Sequence, residues 1–148
     1  MDENVTSEDY MKLLKTDFWP QIEALGLQER IIFQQDGAPP HWSLSVRQWL
    51  NDTLPGRWIG RGSARDDRLS AWPPRSPELS PCDFFLWGYI KSLVCLSKSA
   101  NIKELKQRIC DAFSTITAEM RKNVMLEYKE RLHEVLENGG SHVKVYAP

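Results

Sequence analysis

The chain has 148 residues, 41% hydrophobic and 26% charged, which suits a single folded domain and gives no reason to expect disorder. A formal net charge of −1 excludes a polycation, so any phosphate binding must come from a local basic patch. Cys82, Cys95 and Cys110 have no C-x-x-C spacing and lie far from His41, His133 and His142, which argues against a disulfide framework or zinc site. The acidic start (Asp2, Glu3, Glu8, Asp9) and the lack of a long apolar run predict a soluble, intracellular protein.

Tyr10, Leu13, Leu14 and Phe18 recur at helical spacing over residues 7–19, with Thr6 or Ser7 as the cap and Pro20 near the end. Residues 30–34 (RIIFQ) form a short apolar run that stops at the turn cluster 35–40 (QDGAPP), as a buried strand entering a loop does. Helical spacing resumes over 41–50 through Trp42, Val46, Trp49 and Leu50, with Asn51 and Pro55 favouring termination. Residues 57–60 (RWIG) then read as a second strand, parallel to the first through a β-α-β crossover.

Residues 61–81 carry Pro73, Pro74, Pro77 and Pro81 and no apolar period, so a long loop is expected there. Residues 83–94 (DFFLWGYIKSLV) are apolar and aromatic throughout and predict a largely buried helix. A helical tail over 99–140 follows. Asn101 and Glu104 form a capping-box pair ahead of the stripe Ile102, Leu105, Ile109 and Phe113. Thr117 caps a last helix with the stripe Val124, Tyr128, Leu132, Val135 and Leu136, and Gly139-Gly140 stop it. Two short strands and about five helices make an α/β chain with an unusually small sheet.

Two acids stand out by position. Asp36 follows a strand, where the crevice beyond strand ends binds ligands in open α/β sheets; the alternative is a turn residue whose carboxylate bonds the backbone. Asp83 opens the aromatic helix behind the proline-flanked segment 76–81, as a rigidly placed ligand or as a helix-capping or first-turn acid. Glu78 reads as a solvated side chain. Arg57, Arg61, Arg65, Arg68 and Arg75, interleaved with Trp58 and Trp72, suit a nucleic-acid backbone and unstacked bases, or else a solvated charged loop. His41 either orients a phosphate or a carboxylate, or serves as a structural hydrogen-bonding residue. Trp42, Trp49, Phe84, Phe85, Trp87 and Tyr89 are expected in the core.

Residues 31–41 (IIFQQDGAPPH) and 72–88 (WPPRSPELSPCDFFLWG) together resemble the catalytic core of mariner-superfamily transposases, a branch of the DDE enzymes, and the likeness extends over nearly the whole chain. The resemblance implies a partial ribonuclease-H-like fold, short parallel strands flanked by about five helices with the early sheet strands missing. It makes Asp36 the second and Asp83 the third of three metal-binding carboxylates, holding Mg2+ or Mn2+ for in-line phosphoryl transfer on DNA. It implies DNA as partner, with Arg57, Arg61, Arg65, Arg75 and His41 as nucleic-acid contacts, a nuclear location, and a homodimer or a full-length transposase chain as a further partner.

The family's first aspartate lies upstream of the helix that begins here near Ser7, so the expectation is one truncated domain, 1–148, inactive alone. Glu78 stands where the family's S-P-D-L pattern has aspartate, and the stretch 62–70 is longer than expected. The rival expectations are a co-opted nucleic-acid-binding or protein-interaction module that uses the arginines, and a non-functional structural remnant.

Overall fold

The computed structural model describes residues 4–140; Asp2, Glu3 and His142 lie outside them. The chain forms two compact units, Met1–Arg75 and Ser76–Pro148.

The first unit begins with α1 (Ser7–Leu13), capped by Thr6, whose hydroxyl accepts from the Asp9 amide while the Asp9 carboxylate takes the Thr6 amide. The helix does not end at Pro20 as expected. It passes through a π-helical turn, Leu14–Phe18, into α2 (Trp19–Ala24), with the Trp19 amide bonding back to Leu14. A proline lacks the amide proton and collides with the carbonyl four residues back. One wider turn just before Pro20 takes up both problems, and the helix continues.

β1 (Phe33–Gln34) is shorter than the run at 30–34 suggested, because the Arg30 and Ile31 amides bond the Leu27 carbonyl in a turn. A 3-10 turn, Pro39–Trp42, leads into α3 (Leu44–Thr53). Asn51 does not terminate that helix but lies inside it. β2 (Trp58–Gly60) follows, and a third strand, β3 (Ser70–Ala71), lies in what the proline-rich composition predicted to be loop. All pairings are parallel, in the order β1-β2-β3, with Phe33 opposite Trp58 and Ile59 opposite Ser70.

The crossover between β2 and β3 is shorter than parallel strands ordinarily require. It is held from α3: Asp66 accepts from Arg47 (2.7 Å), from Asn51 (3.3 Å) and from the Ser63 amide, while the Asn51 oxygen accepts from the Asp67 amide (3.0 Å). The sequence carries no periodic signal for β3, whose two exposed residues are held by pairing with β2, through the Leu69 amide to the Trp58 carbonyl and the Trp72 amide to the Gly60 carbonyl.

The core of this unit is Leu14, Val46, Leu50, Leu54 and Trp58, with Phe18, Trp19, Phe33 and Trp49 packed against it. Val46 and Leu50 share one face of α3 at four-residue spacing, and Leu54 follows at its C-cap. Each such side chain contributes about 1.5–3 kcal/mol when fully buried.

In the second unit a 3-10 turn, Pro77–Leu79, precedes another π-helical turn, Cys82–Leu86, which runs into α4 (Trp87–Val94). α5 (Ile102–Ser114) is capped by Asn101, whose oxygen accepts from the Glu104 amide at 2.9 Å, but the Glu104 carboxylate takes the Ala100 amide (2.7 Å) and not that of Asn101, so the expected capping box is only half formed. α6 (Ala118–Glu137) starts at Thr117, whose hydroxyl accepts from the Met120 amide, and the chain leaves it through Gly139 and Gly140 at positive φ.

The core is small: Ile90, Val94 and Ala112, with Leu86, Tyr89, Leu105, Ile109 and Ile116 against them. Trp87 is 46% exposed, so the aromatic helix is not buried on all sides as its composition suggested. α6 buries none of its residues; Leu136 of the expected stripe is exposed. The helix is fastened by Arg131, which lies 4.3 Å over the Phe84 ring, bonds the Glu78 carbonyl and pairs with Glu127.

Candidate metal and nucleic-acid site

Asp36 stands just beyond β1, as the strand-end position requires. Its Oδ1 accepts from the Ala38 amide at 3.0 Å and contacts His41 Nδ1 at 2.5 Å. The turn role is thus realised by one oxygen, while Oδ2 has no bond among the described residues, on a side chain 43% exposed.

His41 is carried on the 3-10 turn that Pro39 and Pro40 stiffen. Its backbone carbonyl accepts from Gln35 Nε2 (2.6 Å), and Gln35 Oε1 accepts from the Tyr10 hydroxyl (3.0 Å). The Tyr10 ring lies 4.3 Å from the His41 ring, centroid to centroid. Burial, and then the nearby Asp36 charge, push the Tyr10 hydroxyl well above the usual phenol range, so it stays a proton donor. Tyr10 and buried Gln35 are members of this cluster that sequence reasoning missed. Tyr10 showed only as one residue of a helical stripe, and nothing in the sequence ties it to a partner 25 positions away.

The arginines separate into distinct roles. Arg61 is exposed, its guanidinium 4.0 Å above the Trp42 ring, and its side chain runs beside Gly37, the neighbour of Asp36: a Cβ on Gly37 would meet Arg61 Cδ at 3.6 Å. Arg57 bonds the Gln28 carbonyl and lies 3.5 Å from Glu29. Arg68 bonds the Gly60 carbonyl. Arg65 and Arg75 are exposed, and Arg75 has φ 53, a strained conformation for a non-glycine residue. Trp58 cannot stack on a base, because it is fully buried in the core; Trp72 is partly exposed.

Asp66 pairs with Arg47 on α3 rather than with the loop arginines. Burial raises its pKa, but the Ser63 amide, Arg47 and Asn51 together outweigh that and hold the carboxyl below its usual value.

In the second unit, Asp83 lies in the first turn of the π-helical segment, its amide bonded to the Ser80 carbonyl. The side chain is exposed and caps nothing, so of the two alternatives Asp83 is the first-turn acid and not the cap. π-helical turns are rare and often mark functional positions. Glu78 is buried at 8% exposure, not solvated as expected, within the 3-10 turn that the Arg131 side chain closes.

Open carboxylate oxygens on Asp36 and Asp83 are hard donors of the kind Mg2+ and Mn2+ prefer. Among the described residues no group of three or more His, Cys, Asp or Glu side chains is placed to hold a metal ion. Nor is any helix there long and apolar enough to cross a membrane.

No protein-family model matches the chain. Over 141 residues, 94% of its length, the chain is 26% identical to the Transposable element Tc3 transposase of Caenorhabditis elegans, of which it spans 39%. That similarity extends across both units and both motifs, and the mixed α/β architecture with a small parallel sheet is consistent with a partial ribonuclease-H-like fold. The resemblance read from residues 31–41 and 72–88 agrees with this finding: over nearly its whole length the chain is similar to a transposase.

Proposed function

We infer that the chain is a transposase-derived, DNA-directed domain in which Asp36 and Asp83 each supply a carboxylate oxygen to Mg2+ or Mn2+. The observation that carries this reading is the state of Asp36: one oxygen is committed to the protein and the other is open, with the Arg61 guanidinium on the adjoining turn. A cation held there supplies Lewis-acid stabilisation of charge on phosphoryl oxygens. The residues of this chain do the rest. Asp36 and Asp83 offer lone pairs, His41 holds the first carboxylate, and Arg61 offers a fixed positive charge to a DNA phosphate.

Nucleic-acid strand transfer needs more than two carboxylates, because an under-held cation is not fixed where the phosphoryl oxygens need it. The chain alone therefore binds Mn2+ weakly and cuts no DNA. Whatever supplies a further ligand, a longer transposase chain or a second copy, acts with it in the nucleus. Titration of Mn2+ followed by electron paramagnetic resonance tests the site: binding lost in both Asp36→Asn and Asp83→Asn supports it, and binding indifferent to both overturns it. Plasmid nicking by the isolated wild-type chain, abolished by Asp36→Asn, would refute the predicted inactivity.

A second reading draws on the exposed Arg61, Arg65 and Arg75: a nucleic-acid-binding module that uses no metal. DNA binding that falls steeply with salt, is unchanged in Asp36→Asn and is lost on replacing these arginines favours it.

A further inference from the structure

We propose that Tyr10, Gln35 and His41 form a positioning relay that makes Asp36 a one-oxygen ligand. This rests on the reading of Asp36 as a metal ligand but goes beyond it, because it fixes how that carboxylate is presented and by which residues.

A carboxylate oxygen has about two lone-pair directions. At Oδ1 both are filled, by the Ala38 amide and by His41 Nδ1, which must be the protonated ring nitrogen because the carboxylate only accepts. Two-oxygen coordination by Asp36 requires breaking one of these bonds. Oδ2 alone remains.

The imidazole is itself held at two points. The Tyr10 ring packs 4.3 Å away, and the Gln35 amide draws in the His41 carbonyl at 2.6 Å. Gln35 is 5% exposed and fixed at both ends of its side chain, and its backbone amide donates to the Ile59 carbonyl across the sheet. The chain of contacts thus runs from α1 through the end of β1 to the carboxylate, and helix packing sets the direction of Oδ2. Hydrogen-bonding partners of this kind typically alter metal affinity 10–100-fold when removed.

The test uses the full chain with the variants His41→Ala, His41→Asn and Tyr10→Phe. Without metal, nitrogen-15 NMR of the His41 ring is expected to report the Nδ1-protonated tautomer in the wild type and its loss in Asp36→Asn. An Nε2-protonated ring in the wild type overturns the proposal. With Mn2+, His41→Ala is expected to weaken binding 10–100-fold, His41→Asn to restore most of it through its amide N–H, and Tyr10→Phe to fall between them.

Wild-type affinity in His41→Ala, with binding still abolished by Asp36→Asn, overturns the relay and leaves the metal site standing. Binding indifferent to Asp36→Asn overturns the metal site, and the tautomer measurement then decides the relay. If His41→Ala does not fold, His41→Asn and Tyr10→Phe carry the comparison.

Discussion

The indole nitrogen of Trp58 donates to the side-chain oxygen of Asn51 at 3.1 Å, fastening the central strand of the sheet to the helix before it. The same oxygen accepts from the Asp67 amide, so one asparagine holds both the buried strand and the crossover that leads to β3.

Asn51→Leu is therefore expected to destabilise the first unit by about 1–3 kcal/mol, the usual cost of leaving a buried donor unsatisfied. Urea denaturation followed by tryptophan fluorescence measures it. Stability equal to wild type would mean that Trp58 finds another acceptor.

Asp66 makes a pH-dependent contribution. Its folded pKa lies below the ordinary carboxyl value of 3.8, so its stabilisation is fully present above that value and disappears as pH falls through the folded pKa. Acid titration of stability should show a loss below pH 3.8 that is shallower in Asp66→Asn. At neutral pH, Asp66→Ala leaves Arg47, whose side chain is only 14% exposed, without its carboxylate. A loss of about 3 kcal/mol is expected.

Gly60 is required by close approach. A Cβ there would meet the Trp58 ring at 3.0 Å and Gln35 Cγ at 3.1 Å, and neither can retreat easily, since one is core and the other is bonded at both ends. Gly60→Ala should cost about 1–3 kcal/mol by overpacking, read as a lowered Tm. An unchanged Tm would show that the sheet yields there.

Arg61 and Arg57 should respond differently to the same substitution. Arg61→Ala is expected to weaken DNA binding evenly across sequences and to lower the salt slope by about one, with stability unchanged. Arg57 bonds the Gln28 carbonyl, so Arg57→Ala should instead lower Tm. Fluorescence anisotropy at several salt concentrations, beside thermal melts, separates the two. Equal salt slopes for wild type and Arg61→Ala would remove Arg61 from the interface.

Local signals located most of the elements. Asn101 and Thr117 start α5 and α6 because their side chains satisfy amides three residues away, a relationship contained within a few positions. Leu14, Val46 and Leu50 were legible as core from helical spacing, and Trp58 reads as strand from its neighbours but not as a buried residue unavailable to a ligand. Pro20 misled for a physical reason: a π-helical turn can absorb a proline that an α-helix cannot. Glu78 misled because charge in a proline-rich segment suggests solvent, whereas the segment here folds under the Arg131 side chain.

The sequence by itself determined where chain direction changes, which residues carry carboxylates at a strand end and a helix start, and, through two ordered motifs, the transposase likeness. Those properties depend on neighbours in the chain. Only the tertiary structure decided that Oδ1 of Asp36 is occupied and Oδ2 open, that Tyr10 reaches Gln35, and that Asp66 pairs with Arg47 and not with the loop arginines. The Tyr10 and Asp66 bonds join segments 25 and 19 positions apart, and the Asp36 contacts, though only two and five positions away, depend on a ring orientation that the Tyr10 ring packs against; such directions are fixed only when helices and strands pack.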